Sequence, residues 1–158
     1  MSFLEDFEQL LKARFPIIYI ETFEENRVLD EIKAFLSNPE SLRTPRQVIE
    51  WSATTGLVAK DGKTFSNTTN AADALAVSQT IKEPTVFVFK DLHASLGEQG
   101  KPADANVLRR LRDISHNFKN GTDPLTLVIT APVLRLPPDL EKEITVLEFP
   151  LPTEEQIL

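Results

Sequence analysis

Asp91 closes an apolar run, Val86-Phe87-Val88-Phe89-Lys90-Asp91, and an aspartate at such a strand end can orient magnesium beside nucleotide phosphates. Hydrolysis by that arrangement calls for a second acid directly afterwards to activate water, and Leu92 and His93 follow instead. Asp91 therefore reads as a capping or loop-ordering residue rather than a metal ligand. Gly62-Lys63-Thr64 has the residue types that end a phosphate-binding loop, but that motif needs an earlier glycine where Leu57 stands, and Gly56 lies one position too early. No strand leads directly into it and no helix directly follows, so it reads as a polar turn.

The loop after the first predicted strand, Ile17-Ile18-Tyr19-Ile20, is the more telling feature. A phosphate site there needs a glycine-rich turn with free backbone amides, and the chain places Glu21-Thr22-Phe23-Glu24-Glu25-Asn26 instead. A carboxylate about 4 Å from a phosphate oxygen costs about 4 kcal/mol per charge pair at a partly solvated site. Glu21, Glu24 and Glu25 together oppose ordinary ATP binding, and Glu24 and Glu25 also favour the start of the helix that follows.

Arg109, Arg110 and Arg112 fall on a predicted helix whose Leu108 and Leu111 face inward, so the three guanidinium groups are expected at the surface. They are either solvated, paired with acids such as Asp113, or turned toward a partner, where they could donate charge to a phosphate bound by an adjacent subunit. His93 and His116 are too few for metal ligation without supporting ligands and read as loop or surface residues. No serine or histidine arrangement suggests a nucleophile. Trp51 reads as a core residue rather than a stacking platform.

The 158 residues suit one domain, and 41% hydrophobic with 26% charged residues are the proportions of a globular chain. No apolar run approaches the roughly 18 residues of a membrane span. With no cysteine there is no disulfide framework and no thiolate metal site, and Met1-Ser2-Phe3-Leu4-Glu5-Asp6 lacks the pattern of a signal peptide. A net charge of −7 opposes attraction to nucleic-acid phosphate or an anionic membrane.

Apolar periodicity supplies the elements that would position these residues. Phe3, Leu4, Phe7, Leu10 and Leu11 mark one helix face, and Val28, Leu29, Ile32, Phe35 and Leu36 a second that stops near Pro39. Gln47-Val48-Ile49-Glu50-Trp51 reads as strand two, and residues 54–69 as a hairpin or long loop around Asp61-Gly62. A third helix is predicted over residues 70–82, burying Ala71, Ala74, Leu75, Ser78 and Ile81. Thr85-Val86-Phe87-Val88-Phe89 and Leu125-Thr126-Leu127-Val128-Ile129 are continuously apolar, as strands buried on both faces must be. Residues 97–103 read as a mobile loop, and the next helix carries Val107, Leu108, Leu111, Ile114 and Phe118 to a close near Asn120-Gly121. A short helix opens at Pro138, and Ile144-Thr145-Val146-Leu147-Glu148-Phe149 is the last strand. Alternation with strands too far apart for hairpins predicts an α/β fold of three α/β/α layers around a mostly parallel five-stranded sheet. Ligands on such sheets bind beyond the carboxyl ends of the strands.

Arg14-Phe15-Pro16-Ile17-Ile18-Tyr19-Ile20-Glu21-Thr22-Phe23-Glu24-Glu25-Asn26-Arg27, then Val86 to Asp91, then Thr130-Ala131-Pro132-Val133-Leu134-Arg135-Leu136-Pro137-Pro138-Asp139-Leu140-Glu141-Lys142-Glu143-Ile144, resemble the N-terminal region of an AAA-type ATPase family of cyanobacteria and plastids known as hypothetical chloroplast reading frame forty-six. The resemblance implies a degenerate RecA/AAA-like domain ahead of an ATPase domain with intact phosphate-binding motifs. ATP and magnesium are then implied for the longer protein, none for this domain, and no catalytic residue is carried over. Asp91 and Thr130 match the Walker B and sensor-like strand ends in position only. Leu151-Pro152-Thr153-Glu154-Glu155-Gln156-Ile157-Leu158 resembles a strand exit opening into a helical lid, so residues 1–158 read as one domain, the N-terminal fragment of a longer ATPase.

The expectation is a non-catalytic domain for assembly, regulation or partner recruitment. Its implied partners are the C-terminal ATPase domain, further copies in a homo-oligomer and a separate protein, in the cyanobacterial cytosol or plastid stroma. Two alternatives stay open: nucleotide binding at an unconventional phosphate site, and a small-molecule sensor using the strand-end crevice.

Overall fold

A computed structural model describes residues 2–149. Helix α1 (Phe3–Lys12) starts where the Ser2 hydroxyl accepts from the Glu5 amide and buries Phe3, Phe7 and Leu11. Pro16 then leads into β1 (Ile17–Glu21). Helix α2 (Glu25–Ser37) follows, buried through Val28, Leu29 and Ile32. Its polar first turn extends ahead of the apolar stripe. That start is ordered from upstream, because the Thr22 hydroxyl accepts from the Glu24 amide at 2.9 Å.

Strand β2 (Gln47–Ser52) returns at once through a hairpin to β3 (Gly56–Ala59), paired antiparallel from Ser52↔Gly56 to Ile49↔Ala59. The sheet therefore has six strands, in the order β3-β2-β4-β5-β1-β6, with every other pairing parallel. The extra strand corrects the five-stranded expectation and the view that no strands lie close enough for a hairpin. Gly56 makes the turn possible: its φ is +69°, and a Cβ there would sit 2.5 Å from the Thr68 hydroxyl. The expected Asp61-Gly62 turn lies at the far end of β3, where the Gly62 amide donates to Ala59 and an isolated bridge joins Val58 to Thr64.

Helix α3 (Ala71–Ser78) is capped by Asn70 and ends four residues before the predicted limit. Beyond it the Thr80 and Ile81 amides bond three residues back, to Val77 and Ser78, a tighter turn than the α-helix. Strand β4 (Thr85–Lys90) passes into a 3-10 turn, Leu92–Ser95. Within the loop expected at residues 97–103, a small turn is closed by a Glu98↔Lys101 bridge, and Glu98 bonds Arg135 at 2.9 Å. Helix α4 (Ala105–Asn120) is capped by the Asp104 carboxylate, β5 (Leu125–Ala131) follows, and a second 3-10 turn (Pro138–Leu140) precedes β6 (Ile144–Glu148).

Each face of the sheet carries its own core. Tyr19, Phe87, Phe89 and Ile129 pack with Leu75 of α3 and Leu111, Ile114 and Phe118 of α4. On the opposite face, Ile18, Ile20, Val86, Val88 and Val128 pack with Phe7 and Leu11 of α1 and Ile32 of α2. Burial on both faces is why β1, β4 and β5 are apolar at nearly every position. Trp51 is a core residue as expected, stacked on Phe89 with its indole N–H donated to the Thr68 carbonyl. The reading of residues 151–158 as a lid opening lies outside the described residues.

Candidate functional site at the strand ends

The parallel register brings the carboxyl ends of β1, β4 and β5 to one edge, with Glu21 opposite Ala131 and Lys90 opposite Thr130. There the Thr22 amide donates to the Ala131 carbonyl and the Asp91 amide to the Thr130 carbonyl, each at 2.8 Å, so two connecting loops are anchored on β5. Between them lies a cleft of about 520 Å³ walled by Thr22, Phe23, Glu24, Glu25, Asp91 and Pro132, with Asn26 and Arg27 also lining it. Of the residues singled out by sequence, Glu24, Glu25 and Asp91 meet in this cleft. Glu21 stands exposed at the end of β1 beside it.

Asp91 occupies the left-handed region at φ 59°, a conformation aspartate tolerates better than most residues. Its carboxylate is largely exposed and lies 3.9 Å from His93 Nδ1. His93 sits in the 3-10 turn after β4, half-buried, with Nδ1 inaccessible and without a hydrogen-bond partner. Arg27, the cation of the cleft, is already engaged: its guanidinium bonds Glu24 at 2.9 Å and lies 4.5 Å from the centre of the Phe149 ring. Phe23, between the acidic residues, is 87% exposed.

Thr130 is fully buried, its hydroxyl has no partner, and it does not line the cleft. Beside it, Lys90 bonds Glu50 of β2 at 3.1 Å, and Lys33 of α2 bonds the same carboxylate at 2.7 Å. Burial pushes the Glu50 carboxyl up, but the hydrogen bonds and charges of Lys33 and Lys90 outweigh it and hold it below the usual carboxylate value. Tyr19 pins the loop after β5, its hydroxyl donating to the Val133 carbonyl and accepting from the Arg135 amide. Burial chiefly raises the pKa of that phenol, so it stays a donor.

Arg109, Arg110 and Arg112 are exposed on α4 as expected, and none lines the cleft. Arg109 bonds Asp113 one turn along the helix at 3.1 Å. No cluster of histidine, aspartate and glutamate suited to a metal ion occurs among the described residues. Sequence reasoning missed the exposed Phe23, whose signal was an aromatic side chain flanked on both sides by polar residues. It also missed the Glu50 network, which joins three separate elements and leaves no local pattern.

No helix among the described residues is long and apolar enough to cross a membrane. The chain is 36% identical over 99% of its length to the AAA domain-containing protein ycf46 of Guillardia theta, of which it covers 29%. It is 32% identical, again over 99% of its length, to the protein of the same name in Trieres chinensis, of which it covers 30%. The chain thus spans under a third of the length of these relatives. Residues 3–149 match the family described as the N-terminal domain of SpoVK-like AAA ATPases, and with a fold of mixed, mostly parallel α/β type the chain belongs to that family.

Proposed function

We propose that this chain is a non-catalytic AAA-like domain serving assembly, regulation or partner recruitment in a longer ATPase. One observation carries the reading: the cleft where a nucleotide phosphate would sit is walled by Glu24, Glu25 and Asp91 and has no glycine turn, while its arginine is held by Glu24. Each carboxylate near a phosphate works against binding by about 4 kcal/mol at about 4 Å in a partly solvated site. A lysine could offset this, but Lys90 is committed to Glu50. These residues do not fit ATP and magnesium, which the reading assigns to the remainder of the longer protein.

The working surfaces are then the acidic loop with Phe23 and the exposed face of α4. An exposed aromatic ringed by charge is the composition of a protein contact rather than of a solvated loop. The partners proposed are the C-terminal ATPase domain of the same protein and neighbouring copies in a homo-oligomer, in the cyanobacterial cytosol or the plastid stroma. The reading includes a role in trans for Arg109, Arg110 or Arg112, supported by their exposure on α4, in donating charge to a neighbouring active site.

Calorimetric titration of the 158-residue chain with ATP and magnesium, paired with a thermal-shift measurement, tests the central claim, because a ligand bound to the native state must raise its stability. The expected result is no heat and no shift. Saturable binding abolished by Asp91→Ala would overturn the reading.

A further inference from the structure

A second cleft, of about 720 Å³, lies on the flank of the sheet at the amino ends of β2 and β4, away from the carboxyl-end cleft. Strands β2 and β3 reach past the end of α2 on the face that α1 and α2 cover elsewhere, so Val48 and Val58 form a floor against which Leu36 of α2 packs from one side only. The volume is within the range of small-molecule sites, roughly 300–1,000 Å³.

The charges around this floor do not balance internally. Lys33, Arg46 and Lys60 line the cleft with Glu50 and Glu83. Glu50 is bridged by two lysines, and Glu83 accepts from the Gln47 amide at 3.1 Å. Arg46 stands apart. Its Nε is sealed from solvent with no hydrogen-bond partner among the described residues, and the charge that bears most on it is another cation, Arg14. Arg46 as a whole is half-buried; a guanidinium drawn partly out of water is normally bonded to carboxylate or carbonyl oxygen, and one with neither, on a cleft wall, has terminal N–H groups free to donate to an acceptor that arrives from outside. All this occurs in a chain of net charge −7, so the positive setting is local.

We infer that this flank cleft binds a small organic anion, a carboxylate or phosphate carried on an apolar body, with Arg46 holding the anionic head, Lys60 at the mouth, and Leu36, Val48 and Val58 covering the body. The apolar floor distinguishes this ligand from a bare inorganic ion, and the unpaired guanidinium distinguishes it from a neutral apolar one.

The test uses the 158-residue chain with octanoate, octyl phosphate and octan-1-ol, followed by amide NMR shifts and thermal unfolding. Saturable shifts at Val48, Val58 and Lys60 are expected with one or both anions, and the tighter of the two names the head group. Octanol, lacking the charge, is expected to bind at least about ten-fold more weakly, as is either anion to Arg46→Gln, the loss of one charge-assisted contact. Arg46→Lys should recover part of that loss, and Lys60→Gln, on an exposed side chain, reports on the site even should Arg46→Gln unfold. Equal affinity for octanol and octanoate, equal affinity in wild type and Arg46→Gln, or no saturable shift with either anion would overturn the assignment.

Discussion

Lys90, on the last rung of β4, donates to Glu50 on the neighbouring strand β2 at 3.1 Å, and the lysine beside the strand-end cleft is thereby committed to the α2 face of the sheet. The same carboxylate holds Lys33 of α2, so one side chain ties two strands and a helix.

This network makes a pH prediction. The folded-state pKa of Glu50 lies below its unfolded value, so the stabilisation is fully present above the unfolded pKa and is lost as pH falls through the folded value. Glu50→Gln is expected to cost about 1–3 kcal/mol near neutrality, the scale of hydrogen bonds to charged groups. The difference from wild type should shrink below about pH 4.5, in the range where carboxylates protonate. Urea unfolding across pH 3–7 checks this, and a difference that stays constant to pH 3 would contradict it.

Thr130→Val should stabilise the domain. The threonine hydroxyl is buried with no partner, and valine has nearly the same shape without the unsatisfied group. A gain of about 1 kcal/mol, or about 2–4 °C in Tm for a domain of this size, is expected. A lower Tm would mean that the hydroxyl is bonded in solution.

Gly56→Ala should destabilise the hairpin by about 1–3 kcal/mol, because the left-handed backbone disfavours alanine and the new methyl would collide with the Thr68 hydroxyl. Thermal unfolding of this variant beside Gly62→Ala separates the two causes, since nothing lies within 4 Å of a Cβ at Gly62.

Phe23→Ala should leave stability within about 0.5 kcal/mol, because the ring is almost entirely exposed. In the longer ATPase the same change is expected to weaken assembly or regulation, read as oligomer dissociation or altered ATP turnover. Turnover and assembly both unchanged would remove Phe23 from the working surface.

Arginine-to-alanine changes at Arg109, Arg110 and Arg112 in the longer ATPase should lower turnover about ten-fold or more at the position that reaches a neighbouring phosphate, with little change in Tm. Unchanged turnover in every variant would remove the trans-acting role.

The sheet's centre was legible because β1, β4 and β5 are buried on both faces and therefore carry unbroken apolar runs. Strand β3 was not, because Gly56-Leu57-Val58-Ala59 is short, opens on a glycine and lies in a polar stretch. Helix α2 was seen through Val28, Leu29 and Ile32, but its acidic first turn belongs to the cleft and carries no apolar signal. The acidic character of the strand-end loop could be read directly from Glu24 and Glu25. The partnerless Arg46 could not, since its setting depends on β3 and on the far end of α2.

Helix α2 walls both clefts, the strand-end one through Glu25, Asn26 and Arg27 and the flank one through Lys33, Leu36 and Ser37. Its 13 residues make a rod about 20 Å long. If the two clefts are occupied as proposed, an occupant that tilts or slides this rod at one end changes the binding free energy at the other. Thermodynamic reciprocity then makes the factor the same in both directions, so a ligand that loosens a protein's grip on the acidic loop is itself loosened by that protein to the same degree.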